Sequence, residues 1–382
     1  MIALVVKLLC GLLIGVFYTT FYGGGDTFVL FESASTLVEL LFYSPLEYLE
    51  IMISPSLEYL HALENSRTAF FVRIVSILAA FSLNNYWSTS MIMSILSFVS
   101  SWKLISSIQV VFVKRSYIMA SYIAFLFIPS VVLWSSGILK ESITTSCVYF
   151  IVAIFIKIFH RVRTQRWEYT LTIIGIIALF MIKYYLAAVM ITVLGMGLLY
   201  KRMQDRYHGQ RYIPVAASAL FLIVIVFIGS QFHQNLNIIH FSKIIQWNYN
   251  NAVVAGSQVH YEHINDGLAG IMKDTPIALV TGLFRPFVWE ASGIFQLISG
   301  LENAVILLAF VLGVIIAISE RNFWIDLSWL WVLFYAIMIA VLIALTTPNF
   351  GTLLRYRTAY IAFILYPVIV QLIQFYFKKL KT

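Results

Sequence analysis

Long apolar runs recur along the whole chain, and few charges interrupt them. A helix needs about 20 mostly apolar residues to cross a bilayer. Eleven segments approach that length, at roughly 2–21, 67–83, 88–112, 117–134, 142–159, 168–183, 185–200, 212–230, 302–319, 327–346 and 357–377. Only 11% of the 382 residues are charged and 61% are hydrophobic, against about 25% and about 45–50% in an ordinary soluble domain. Such a chain cannot cover a globular surface with water-compatible groups. A soluble enzyme, a disordered tail and a soluble nucleic-acid-binding protein are excluded on that ground. The expected fold is an all-α, polytopic transmembrane helical bundle of about 10–12 spans, one domain over residues 1–382. The weakest segment is 67–83, which is short and carries Arg67 and Arg73. Cys10 and Cys147 both sit in apolar runs, so they read as small lipid-facing or core residues, not as a disulfide framework. The N-terminal run lacks a basic stretch before it and reads as a retained first span.

The net charge of +8 reads first as topology, because Lys and Arg gather in loops that stay in the cytoplasm. Basic clusters recur at Lys114-Arg115, Lys157 to Arg166, Lys201 to Arg211, and Lys378, Lys379 and Lys381. If the last nine spans alternate, every cluster falls on one side, the cytoplasmic face of a multi-pass inner-membrane protein. Stretch 231–301 then faces outward, as do the turns at Trp134 to Gly137, Lys183 to Tyr185 and Pro348 to Arg357. Counting back through all three early spans instead puts 22–66 in the cytoplasm. Its acids (Glu32, Glu39, Glu47, Glu50, Glu58 and Glu64) would be repelled by anionic cytoplasmic headgroups. The expectation is therefore that 22–66 lies outside. That requires one early segment not to cross, or part of 22–66 to cross.

Two outer stretches are too polar to span and too apolar for simple loops. Stretch 22–66 holds two helix-breaking prolines, Pro45 and Pro55, and in it Leu37, Leu40 and Leu41, then Leu46, Leu49 and Ile53, recur at helical spacing. That pattern predicts short amphipathic helices along the membrane surface. Stretch 231–301 holds His233, His240, His260 and His263 and ends in LFRPFVWEASGIFQLISG, which reads as an interfacial helix begun by Pro286.

Charged residues near a membrane are costly and tend to be functional or to snorkel. Asp26 follows a glycine triplet directly after the first span. It is either a general base held at the membrane surface or the N-cap of the next helix. Lys140 follows Pro129 and the Ser135-Ser136-Gly137 turn. It is either a point charge for a phosphate or a partner of Glu141. Lys183, beside Tyr184 and Tyr185, is an outer cation that opposes the orientation rule, or part of a tyrosine-anchored turn. In Arg285 to Ala291, Arg285 precedes Pro286, and an Arg at a helix start can meet an anion. Trp289 and Phe287 offer faces for a sugar ring, with Glu290 beside them; the alternative is an aromatic interface anchor. Arg355, Tyr356 and Arg357 precede the last span, where two arginines suit a phosphate or pyrophosphate. Snorkelling there would oppose the helix dipole. His260 and His263 stand three apart, but no third metal ligand has suitable spacing. No Ser-His-Asp signature, glycine-rich nucleotide motif or zinc-type Cys pair is present.

These pieces resemble the GT-C superfamily of membrane glycosyltransferases. The resemblance rests on Asp26 just after the first span, the amphipathic helices following it, the late outer Arg355-Tyr356-Arg357, and the segment Pro129 to Glu141. It covers the architecture of most of the chain, through short motifs. The chain departs from the pattern in having no large soluble C-terminal domain. The resemblance implies transfer of a sugar from a polyprenyl-phosphate carrier to a glycan or lipid acceptor on the outer side. Asp26 would be the catalytic base, and Lys140, Lys183, Arg285, Trp289, Glu290, Arg355, Tyr356 and Arg357 would bind substrate. It implies membrane lipids as surroundings, no nucleic acid partner, no assigned metal ligand and no certain cofactor, a divalent cation staying open. The competing readings are a polymerase or ligase of lipid-linked glycans, and a transporter. A transporter is disfavoured by the lack of an internal repeat.

Overall fold

The computed structural model describes residues 1–23, 25–53, 66–210, 212–232, 238–254, 259–320 and 326–380. Gly24 of the glycine triplet lies outside the described residues, as do Pro55, Glu58, Glu64, Arg211, His233 and Lys381. Regular structure among the described residues is helical, with no strand. The α-helices run α1 (Ile2–Tyr22), α2 (Gly25–Tyr43), α3 (Pro45–Ile53), α4 (Ser66–Phe81), α5 (Tyr86–Val111), α6 (Arg115–Leu126), α7 (Pro129–Trp134) and α8 (Lys140–Phe159). They continue as α9 (Arg166–Arg206), α10 (Tyr212–Phe232), α11 (Ile238–Val254), α12 (Gly267–Phe284), α13 (Ile294–Ser319), α14 (Leu327–Thr346), α15 (Phe350–Tyr356) and α16 (Ile361–Lys379).

Eight of these are long and apolar enough to cross a membrane: α1, α5, α8, α9, α10, α13, α14 and α16. Helix α9 accounts for two crossings. Lys183 has non-helical angles, φ −140° and ψ 76°, and the chain reverses there. Leu179 and Ala187, Ile176 and Met190, and Thr172 and Leu194 line one apolar cleft together with Ile151 and Phe155 of α8. Asp205 near the end of α9 meets Arg161, which lies just before its start, at 2.7 Å. Two antiparallel spans result, as the runs 168–183 and 185–200 predict.

The segment 117–134 is a broken crossing. Pro129 cannot extend α6, so α7 starts afresh. Its orphan N-terminus is met from another helix: the Ser130 N–H and hydroxyl both donate to Glu302 Oε1 of α13, at 3.1 and 2.8 Å. A break at membrane depth persists only where neighbours satisfy the freed backbone.

The segment 67–83 is not a span. At 16 residues, α4 is too short, and both of its ends reach the same end of the bundle. Thr68 accepts from Lys140 Nζ at 2.6 Å. Beyond the far end of α4, Asn84 donates to Ser35 of α2 at 2.6 Å and Tyr86 to Thr27 of α2 at 3.1 Å. Helices α2, α3 and α4 thus lie over one end of the bundle, which removes the parity conflict. In α2, Leu30, Ala34, Leu37 and Val38 form the buried stripe. In α3 the buried residues are Tyr48 and Ile51. The predicted stripe Leu46, Leu49 and Ile53 is exposed and is left for lipid contact.

Eight spans, with α9 counting twice and α6–α7 adding one, give ten crossings, so both chain ends lie at one end of the bundle. Pairs between distant segments agree. Lys378 meets Glu320, His160 meets Asp326 at 3.1 Å, and Arg115 covers the Phe377 ring at 5.6 Å. The basic clusters therefore share that end.

Helix α8 is the most enclosed span, 78% buried, whereas α10 is 11% buried. Beside α8, Trp329 and Tyr366 pack with ring centroids 4.4 Å apart, and Phe125 meets Tyr149 edge-on at 5.3 Å. Lipid tails are as apolar as leucine, so close approach of small residues supplies much of the helix association. Gly11 of α1 meets the Ser135–Gly137 turn and α5 in this way. Ser90 donates to the Gly11 carbonyl at 2.9 Å, and the Gly137 N–H to Ser94 Oγ at 3.0 Å. Gly137 has φ +71°, a conformation open to glycine at no steric cost. The sequence suggests that this turn exposes backbone donors. It is instead buried, with Ser135 also accepting from Lys7 at 2.7 Å. Its role is to seat the N-terminus of α8 inside the bundle.

Candidate functional site

Four elements converge at the end opposite the basic clusters. Gly23 closes α1 in the left-handed conformation, φ 59°. The chain then restarts as α2, with Asp26 in its first turn and 74% exposed. Asn349 caps α15 by accepting from the Gly351 N–H at 2.9 Å, and Arg355 and Tyr356 end that short helix. The buried turn sets Lys140 and Glu141 at the start of α8. The reversal of α9 delivers Lys183.

A chain of charges links them. Arg355 Nη1 lies 3.8 Å from Asp26, and Nη2 lies 3.3 Å from Glu141. The other Glu141 oxygen accepts from Lys183 Nζ at 3.0 Å. Lys183 Nζ also sits 3.3 Å from the centroid of the Tyr356 ring. Lys140 donates to Thr68, and Arg67 covers the Tyr184 ring at 4.7 Å. Glu141 and Lys183 are buried, 2% and 7% exposed. Burial opposes the Arg355 charge, but Glu141 outweighs it and the guanidinium titrates higher than usual. Burial, then the Glu141 charge, pushes the Tyr356 hydroxyl up to about 12, so it stays a donor. Four cations (Arg67, Lys140, Lys183 and Arg355) face two carboxylates. Among the described residues Arg355 Nε has no hydrogen-bond partner.

Two cavities flank this chain. The first, of about 500 Å³, is lined by Asp26, Arg355, Trp134, Phe295 and Gln296 among others. It shares Phe17, Trp134, Phe295 and Ser299 with an apolar groove of about 590 Å³ between α1, α6–α7 and α13. The second, of about 310 Å³, is lined by Arg67, Lys140, Lys183, Tyr184 and Tyr356.

The other predicted binding residues form a separate group. No helix starts at Pro286: residues 288–290 make a single 3-10 turn, and the run from Ile294 belongs to α13. The expected interfacial helix, and the anion site at its start, are therefore absent. Arg285 is instead paired with Glu290, whose carboxylate also caps the Phe287 N–H at 2.8 Å. Trp289 is 81% exposed and stacks on Phe287. Arg357 is buried and donates to Gly282 O at 3.1 Å, to Asn303 Oδ1, and to the Arg285 carbonyl. It clamps α12, α13 and α15 together, with its guanidinium given to protein acceptors. Residues 285, 290 and 357 thus position α15, and through it Arg355.

His263 turns to Asp274, at 3.4 Å. Among the described residues no three His, Cys, Asp or Glu side chains converge to hold a metal.

Sequence reasoning places Glu141 only as a partner for Lys140, and Arg67 only as a flaw in a span. The signal for Glu141 is an acid directly preceding an apolar run, since a carboxylate entering a membrane needs a buried partner. No protein family, no curated protein and no solved structure matches the chain.

Proposed function

We propose that this protein is a membrane glycosyltransferase that moves a sugar from a polyprenyl-phosphate carrier to a hydroxyl of a glycan or lipid acceptor. One observation carries the reading: Asp26 and Arg355 line one cavity, which continues into an apolar groove. A lipid tail suits the groove, and a charged head suits the cavity. In the reaction, the acceptor oxygen bonds to the sugar's anomeric carbon while the bond from that carbon to the phosphate oxygen breaks. Asp26 takes the acceptor's hydroxyl proton. The electron pair leaves on the polyprenyl phosphate, whose added negative charge Arg355 stabilises. The basic end then lies in the cytoplasm, and the site faces outward across the cytoplasmic membrane.

Reconstituted protein, supplied with a panel of synthetic polyprenyl-phosphate hexoses, tests this through release of polyprenyl phosphate. Asp26→Asn is expected to lower turnover about 100-fold or more, the usual contribution of a general base. Turnover equal to that of the unaltered protein removes Asp26 from the mechanism. The presence of a second cavity also supports a polymerase, which repeats the transfer on its own product. Product length separates the two.

A further inference from the structure

The second cavity shares no lining residue with the first: Lys183 and Tyr356 line the second, and Arg355 lines the first. The second opens into a mouth of about 450 Å³ and shares Arg67, Tyr184, Ile244 and Asn248 with it. The mouth adds His240, Lys243 and Trp247. Four fixed cations, Arg67, Lys140, Lys183 and Lys243, therefore line one continuous hollow, and none of its described lining residues is a carboxylate. Glu141 compensates Lys183 from outside the lining. Lys140 gives its hydrogen bond to a neutral hydroxyl, Thr68.

Lys140 and Lys243 bring two positive charges to the recess with no carboxylate among its described lining residues, and an anion that enters relieves their mutual repulsion. The recess is not built for charge alone. Trp247 is 66% exposed at the mouth, and Tyr184 belongs to the same lining. Flat aromatic faces with an adjacent amide, here Asn248, suit a sugar ring. A bare phosphate needs neither. We infer that this cavity binds a phosphorylated glycan, with the phosphate among Arg67, Lys140 and Lys243 and a sugar ring against Trp247. That the glycan is the acceptor rests on the proposed glycosyl transfer; that the cavity binds it does not.

The full chain in nanodiscs of neutral phosphatidylcholine is titrated calorimetrically with glucose 1-phosphate, inorganic phosphate and glucose. Glucose 1-phosphate is expected to bind at least tenfold more tightly than glucose. Lys243 is exposed, so Lys243→Gln leaves the fold intact. It is expected to weaken glucose 1-phosphate binding roughly tenfold, as is Lys140→Gln, each removing a charged hydrogen bond. Trp247→Leu weakens glucose 1-phosphate and leaves inorganic phosphate unchanged. Asp26→Asn leaves both unchanged, so loss of the catalytic reading does not touch this result. Equal affinity for glucose and glucose 1-phosphate overturns the proposal, and so does an unaltered affinity in Lys243→Gln and Lys140→Gln. In a second set of nanodiscs doped with phosphatidate, full displacement of glucose 1-phosphate also overturns it, because the occupant is then a lipid headgroup.

Discussion

Replacing Glu141 by Gln keeps the side chain's shape and removes its charge. Glu141 is 2% exposed and holds two cations at once, Lys183 at 3.0 Å and Arg355 at 3.3 Å. At an effective dielectric of about 20, each contact amounts to about 5 kcal/mol of Coulomb attraction. Desolvation of each ion opposes this by several kcal/mol. The pair contributes little beyond that balance, but removal of one partner leaves the cations uncompensated. Such a truncation costs about 3–5 kcal/mol. Glu141→Gln is therefore expected to lower unfolding free energy by that amount, read by tryptophan fluorescence during SDS titration in mixed micelles. Lys183→Met added to Glu141→Gln is expected to restore part of the loss, because it removes one orphaned charge. A coupling of about 1.5 kcal/mol or more between the two changes is expected, as for contacting residues in one network. Full stability in Glu141→Gln, or strict additivity in the pair, refutes the reasoning. The Arg355–Glu141–Lys183 chain would then not be a coupled unit.

Gly137→Ala places a Cβ 3.2 Å from the Gly11 carbonyl and from Ser90 Oγ, at φ +71°. About 1–3 kcal/mol of destabilisation follows from the strained backbone, readable in the same SDS titration. Arg357→Lys cannot serve the three acceptors of the guanidinium. It is expected to lose about 1.5–3 kcal/mol for each charged hydrogen bond broken, readable in the same SDS titration; unchanged stability would mean that the Arg357 clamp does not hold α12, α13 and α15 together. Cysteines at Ser292 and Arg206, labelled with a membrane-impermeant maleimide in intact cells and then in inverted vesicles, are expected to react from opposite sides. Reaction from the same side would break the ten-crossing topology.

Much of the architecture is legible in the sequence because membrane crossing leaves a length signature. The runs 168–183 and 185–200 are two spans, because Lys183 leaves helical geometry and interrupts the apolar run where the chain turns. The broken crossing at 117–134 is less legible. Pro129 marks the break, but Glu302, which satisfies the freed N–H, lies far along the chain. The site divides in the same way. Lys140, Lys183 and Arg355 are visible as outer cations that oppose the orientation rule, Asp26 as the acid after the first span and Tyr356 as an aromatic neighbour, and the structure brings them together. Arg285 and Arg357 oppose the same rule, yet they hold backbone carbonyls and Glu290. A charge count does not separate an arginine that waits for a phosphate from one that already has its acceptors. That difference depends on which distant carbonyls, such as those of Gly282 and Arg285 for Arg357, the fold places within reach.

The central claim is that the Asp26–Arg355 cavity and the apolar groove beside it form one site for a lipid phosphate. A polyprenyl phosphate carrying a diazirine on its first isoprene units, photolysed with the reconstituted protein and mapped by mass spectrometry, tests this most directly. Labelling is expected on groove residues such as Leu13, Leu133 and Ile298. Arg355→Ala is expected to suppress it, while the protein stays folded by circular dichroism. Labelling confined to other faces of the bundle, or labelling of the groove that is indifferent to Arg355→Ala, contradicts the account.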